Sequence, residues 1–172
     1  MKKFLPLLLL LISSIFIFSC KDDDEQVVVD YPAVYDININ LIQNSANYFG
    51  FNQKFNSTLL GQDIVLVYRK NNPGANTPVW ESLPKTYFFD EGAMDYTFDF
   101  TTTDVQIDLR SDFDLTVKDT AFKNTYISGQ TFRVVLVPAV YGRSANSVDP
   151  RTLSYEEVIA KYNINDKKVG TL

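Results

Sequence analysis

Tyr96-Thr97-Phe98-Asp99-Phe100-Thr101-Thr102-Thr103-Asp104-Val105-Gln106-Ile107-Asp108-Leu109 decides the class of fold. Apolar side chains occupy every second position on both sides of the three threonines. A period of two belongs to a half-buried strand, and two such runs around a short polar turn make an antiparallel hairpin. The alternation places Phe98 and Ile107 inside and Asp99 and Asp108 in solvent.

The same reading extends outward along the chain. Tyr35, Ile37, Ile39 and Leu41 alternate with Asp36, Asn38 and Asn40. Asn44-Ser45 reads as a tight turn into a strand that carries Phe49, Phe51 and Phe55 on one face. Residues 64–68 and 132–137 are apolar at consecutive positions, as expected of central strands covered on both faces. Asn71-Asn72-Pro73-Gly74 and Asp90-Glu91-Gly92 are turn signals. Residues 79–89 read as one strand interrupted at Pro84, which marks an edge or a bulge. The fold expected is mainly β: an antiparallel β-sandwich of about seven to nine strands with one short C-terminal helix. For that helix, Ser154-x-x-Glu157 matches a capping box. Tyr155, Val158, Ile159 and Tyr162 form one apolar stripe, which either docks on the protein's own sheet or binds a partner.

Composition excludes many activities. The chain has 172 residues, no histidine, one cysteine and a formal net charge of −5. Nucleophiles that depend on histidine, His-ligated zinc and haem with a proximal His are excluded. The lone Cys20 excludes an internal disulfide and a cysteine zinc site. No basic cluster points to nucleic acid. The glycines are too dispersed for a phosphate loop, and no Ser-x-x-Lys occurs. No catalytic residue, metal ligand set or cofactor is therefore assigned.

Carboxylates and aromatic rings are the candidates left. Asp95 and Asp99 on one strand and Asp104 and Asp108 on the next share the solvent face of the hairpin. Their repulsion can be relieved by water, by Lys or Arg, or by a bound Ca²⁺. Asp112-x-Asp114 lacks the glycine and terminal glutamate of an EF-hand loop. A carboxylate-dependent hydrolase needs two acids in one concave pocket with opposed pKa shifts. Trp80, Tyr87, Tyr48 and Tyr141 either pack in the core or its rim, or form a platform for a glycan.

The N-terminus reads as an address. Lys2 and Lys3 precede an apolar run over residues 4–18, too short for an ordinary spanning helix and suited to a signal peptide. Ser19-Cys20 at its end resembles the lipobox of bacterial lipoproteins, although Phe18 is bulkier than usual there. That resemblance implies cleavage before Cys20 and acylation of its thiol and new amine, against the alternative of a buried core cysteine. Lys21, Asp22, Asp23, Asp24 and Glu25 follow at once. They resemble the lipoprotein export signal of the Bacteroidota, which implies display on the outer face of the outer membrane; the alternative is a solvated acidic spacer. Asp119-Thr120-Ala121 resembles the O-glycosylation motif of the same group and marks Thr120, flanked by Lys118 and Lys123 in an expected exposed loop.

Three segments, Val79-Trp80-Glu81-Ser82-Leu83-Pro84, Tyr96-Thr97-Phe98-Asp99-Phe100 and Phe132-Arg133-Val134-Val135-Leu136-Val137-Pro138-Ala139, resemble small surface lipoproteins of flavobacteria over about residues 35–140. The resemblance implies a β-domain carried on an anchor and transfers no activity to any residue. The organisation expected is a signal peptide over 1–19, an anchor, export signal and tether over 20–34, and one domain over 35–172. The function expected is a lipid-anchored outer-surface protein, a non-catalytic binding or structural module held to the membrane by its lipid. The alternatives are a glycan-binding accessory of a nutrient-uptake system and a carboxylate-dependent hydrolase.

Overall fold

The hydrophobic pattern resolves into strands that cover one another in layers. The computed structural model describes residues 34–71, 77–138 and 148–172. Residues 1–33, with Cys20 and the acidic run 21–25, lie outside the described residues, as does Tyr141. The strands are β1 (Val34–Ile39), β2 (Ile42–Ser45), β3 (Tyr48–Lys54), β4 (Ile64–Lys70), β5 (Trp80–Ser82), β6 (Lys85–Phe89), β7 (Gly92–Phe100), β8 (Asp104–Ser111) and β9 (Gln130–Val137). The helices are α1 (Thr120–Tyr126) and α2 (Tyr155–Lys161). All strand pairs are antiparallel, in a four-stranded sheet of order β1-β9-β4-β5 and a five-stranded sheet of order β2-β3-β8-β7-β6. The two sheets pack as a β-sandwich.

β4 and β9 are apolar at consecutive positions because both of their faces are covered. Val65, Val67, Phe132, Val134 and Leu136 join the core between the sheets. Leu66, Tyr68, Val135 and Val137 form a second cluster on the outer face, closed by Tyr155, Val158 and Tyr162 of α2. The α2 stripe therefore docks on its own sheet. Its capping box is formed, with Glu157 N donating to Ser154 Oγ at 3.3 Å and Ser154 N donating to Glu157 Oε2 at 2.8 Å. Beyond α2 the chain returns to β1, where Gly170 N donates to Val34 O at 2.9 Å and Asp36 N to Gly170 O at 3.2 Å.

The β7–β8 hairpin runs in register from Met94 opposite Ser111 to Phe100 opposite Val105. Met94, Tyr96, Val105, Ile107 and Leu109 are fully buried. Two expectations for it need correction. Phe98 is only half-buried, because β6 covers β7 no further than Tyr96 and the strand runs on past its neighbour. Asp108 is not free in solvent: its side chain is 14% exposed, closed over by Tyr48 and Gln106. Gly50 makes room for this, since a Cβ there would lie 2.9 Å from both Asp108 Oδ1 and Gln106 Nε2.

Three local boundaries also differ from expectation. Residues 79–89 are two strands in different sheets, joined through a cis Leu83–Pro84 peptide, rather than one interrupted strand. Both are nonetheless edge strands. The first turn falls at Ala46-Asn47 rather than Asn44-Ser45. A second α-helix, α1, stands where a loop was expected. Its N-cap Asp119 accepts from Phe122 N at 2.7 Å, and Phe122 and Tyr126 pack against Phe89. Two turns are too few to show a helical period in the sequence. Thr120 is the first residue of α1 and is exposed.

Candidate functional site

Two buried arginines account for two of the three described candidate aromatic residues, Tyr87 and Trp80. Arg69 points from β4 into the space between the sheets and is 3% exposed. Its guanidinium lies 5.7, 5.1 and 5.5 Å from the ring centroids of Tyr87, Tyr96 and Tyr126. Nε and Nη2 donate to Gln130 Oε1 at 3.1 and 2.8 Å, Nη1 to Tyr87 Oη at 3.0 Å, and Nη2 to the Thr125 carbonyl at 2.5 Å. Glu81 Oε2 stands 3.6 Å from Nη1 and accepts from the Tyr87 hydroxyl. Burial and the Glu81 hydrogen bond push the Tyr87 phenol well above its ordinary value. Tyr87 is thus committed to holding a charge inside the fold.

Arg133 does the equivalent work on the outer face of the same sheet. It grips Asp36 through Nε–Oδ1 at 2.7 Å and Nη2–Oδ2 at 2.8 Å, and donates to Tyr155 Oη at 2.6 Å. Its guanidinium sits 4.2 Å from the Trp80 ring centroid. Burial alone would lower the Arg133 pKa, yet the Asp36 and Tyr155 contacts raise it above the ordinary value. Burial raises the Tyr155 phenol to about 12, against the lowering pull of Arg133. Tyr48, the third described ring, has Arg110 3.8 Å from its centroid and donates to Asp108 Oδ1 at 3.0 Å. Trp80, Tyr87 and Tyr48 therefore belong to separate structural contacts and form no common platform.

The acidic residues of the hairpin share a face but do not confront one another. Asp95 stands opposite Arg110, Asp108 opposite Thr97, and Asp99 opposite Gln106. Asp104 pairs across the sheet with Lys54. The register relieves repulsion with a cation, a hydroxyl or an amide at each step. Asp112 instead accepts from Ala93 N at 2.9 Å, and Asp114 accepts from Thr116. Those bonds hold the Asp114 carboxyl below its usual range. Among the described residues no group of three or more acids, cysteines or histidines is arranged to hold a metal ion.

A concave feature lies at one corner of the sandwich. β5 covers β4 only along Tyr68–Lys70, and β6 covers β7 only along Gly92–Tyr96. The buried first half of β4 and the last residues of β7 line one cleft of about 550 Å³. That size suits a bound small molecule or a short peptide. Val65, Val67, Leu83, Pro84, Phe98 and Phe100 supply apolar walls. Phe98 and Phe100 stack with centroids 6.5 Å apart, and Phe100 is 41% exposed. Asp99 and Arg151 are the charged residues of the lining. Arg151 is held by Asp149 at 2.8 Å, whereas Asp99 has no ion pair or hydrogen bond among the described residues.

This cleft gathers one carboxylate, not two, so it does not assemble the acid pair that a retaining or inverting glycosidase needs. Its lining was not foreseen from the sequence. Phe98 and Phe100 looked like ordinary core positions, and the signal that could have revealed them was the unequal length of neighbouring strands. Comparison of the chain with protein families, curated protein sequences and solved structures finds no match.

Proposed function

We propose that this protein is a non-catalytic binding module, anchored by lipid at Cys20 and displayed on the outer face of the outer membrane. The observation that carries the binding reading is the apolar cleft between β4 and the end of β7, where Phe100 is exposed. Elsewhere Trp80, Tyr87 and Tyr48 are spent on contacts within the fold. Location rests on the sequence alone: a short apolar run, Ser19-Cys20, and five charged residues directly after it. Such a run is too charged to bury in an apolar core. A signal read by export machinery explains its position beside the anchor.

External protease treatment of whole cells of the source organism tests the location. Asp22, Asp23 and Asp24 replaced together by Ala should leave the protein folded and lipidated but protected from the protease. A triple variant as accessible as the parent would reduce the acidic run to a spacer. Intact-mass analysis of the native protein reads the lipid on Cys20 and, in the same spectrum, any glycan on Thr120.

A further inference from the structure

The strand directions fix the end of the sandwich at which the chain enters it. Val34 lies opposite Val135 and Ile64 opposite Val137, so the start of β1, the start of β4 and the end of β9 share that end. The β7–β8 turn belongs to it too, since Phe100 and Ile64 line the same cleft. The loop after β3 joins through Phe55 N and Leu59 N, which donate to Thr103 O and Thr102 O, both at 2.8 Å. The C-terminal tail returns there: Gly170 bonds to β1, and Asn56 Nδ2 donates to Thr171 O at 3.0 Å. Four large apolar side chains from four segments are exposed at this end, Leu60 at 50%, Phe100 at 41%, Val148 at 51% and Val169 at 37%.

Charge favours the same end. The chain carries a net charge of −5, yet Lys54, Arg151, Lys161, Lys167 and Lys168 are exposed here against two exposed acids, Asp99 and Asp149. Asp104 and Asp166 are half-buried, and they accept from the hydroxyls of Thr101 and Tyr155. At the far end Phe88 and Val117 are exposed, but among Asp90, Glu91, Asp112, Asp114 and Asp119. We propose that the entry end rests on an anionic lipid surface, with Leu60, Phe100, Val148 and Val169 in its interfacial layer. This rests on the lipid at Cys20 and adds an orientation to it. Cys20 lies fourteen residue steps before Val34, a reach of at most about 50 Å. On so short a leash the domain meets the bilayer at high effective concentration, and a contact too weak to hold a free protein suffices. Interfacial binding grows with apolar area and with attraction of basic residues to anionic head groups, and this end supplies both. Phe100 also lines the cleft, so the cleft meets its ligand beside the bilayer.

The test uses the full lipidated chain in vesicles of phosphatidylcholine with about one third phosphatidylglycerol. Acylation consumes the thiol of Cys20, the one cysteine of the chain, so an introduced cysteine is a unique labelling site. An environment-sensitive dye is placed in four separate variants, Leu60→Cys, Val148→Cys, Phe88→Cys and Val117→Cys, each at an exposed position that the fold tolerates. Nitroxide-labelled lipids act as the quencher. Quenching of at least about twofold is expected at positions 60 and 148, with none at 88 and 117. Vesicle-bound protein with no quenching at 60 and 148 would overturn the docking and leave the lipid anchor standing. Quenching at 88 or 117 would also overturn it, because the domain would then lie on another face or tumble freely. A chain whose own Cys20 takes the dye and stays off the vesicles would refute the anchor and the docking together.

Discussion

Arg69→Met is the substitution that most directly tests how the sandwich interior is held. The change keeps much of the side-chain volume and removes a buried charge with four hydrogen bonds. It strands Gln130 Oε1 and the Thr125 carbonyl, and it leaves Glu81 with the Tyr87 hydroxyl, the Asn71 amide and the more exposed Lys85 at 3.9 Å. Breaking a buried ion pair from one side costs about 3–5 kcal/mol when the other charge is left with no close partner, and the exposed Lys85 at 3.9 Å compensates Glu81 only in part. Attraction of the guanidinium to three desolvated tyrosine rings adds to that, whereas Met recovers part of the packing. The expected loss is about 4 kcal/mol, read as a lower urea midpoint at constant slope. Glu81 is more accessible than Arg69, at 16% against 3% of the side chain, so Glu81→Gln should cost less, about 1–2 kcal/mol. The double variant should cost clearly less than the sum, since Met then faces no carboxylate that has lost its buried partner. A loss under about 1 kcal/mol for Arg69→Met would refute the reasoning and make the cage incidental.

The hairpin and the tyrosines give further checks. Phe98→Ala should cost about 2 kcal/mol, below the full-burial range, because Phe98 is half-buried at the cleft; Asp99→Asn should stay within about 0.5 kcal/mol, because Asp99 faces Gln106 rather than another acid. Denaturant melts that ranked the two equally would contradict the register. Gly92 has a φ of +136°, and a Cβ there would lie 2.7 Å from Asp112 Cβ, so Gly92→Ala should lower stability by about 2 kcal/mol or more. Burial raises the phenols of Tyr68, Tyr87 and Tyr96, and that of Tyr155 to about 12, from an ordinary value of 10.0. Raised folded-state values give stability that is fully present below pH 10 and is lost as pH rises through 12 and beyond. Phenolate absorbance should accordingly show these rings ionising late, together with unfolding.

Much of the fold was legible because its strands obey a single physical rule. Where one face meets water, as in β7 and β8, the period of two survives; where both faces are covered, as in β4 and β9, the run becomes continuously apolar. Both patterns identified their strands. What could not be read was which sheet a strand joins. The chain changes sheets at Asn40-Leu41 and again at Leu83-Pro84, and neither step disturbs the local alternation. The arginines escaped for a related reason. Arg69 and Arg133 sit at the polar-looking end of apolar strands, and only the tertiary arrangement of tyrosines from β6, β7 and the two helices turns them into buried anchors.

The cleft has the same origin and was illegible on the same ground. A two-layer sandwich closes only where each strand has a neighbour long enough to cover it, and here a three-residue β5 and a five-residue β6 flank a seven-residue β4 and a nine-residue β7. Among the described strands, β4 and β7 each run past their outer neighbour at the same corner. Edges elsewhere are treated differently: the C-terminal tail bonds to β1 through Gly170, and β2 is short, exposed and bulged. Phe98 and Phe100 stand beyond the last residue that β6 pairs, Tyr96, and this is why Phe98 is half-buried and Phe100 exposed although both continue the inward-facing alternation of Met94 and Tyr96.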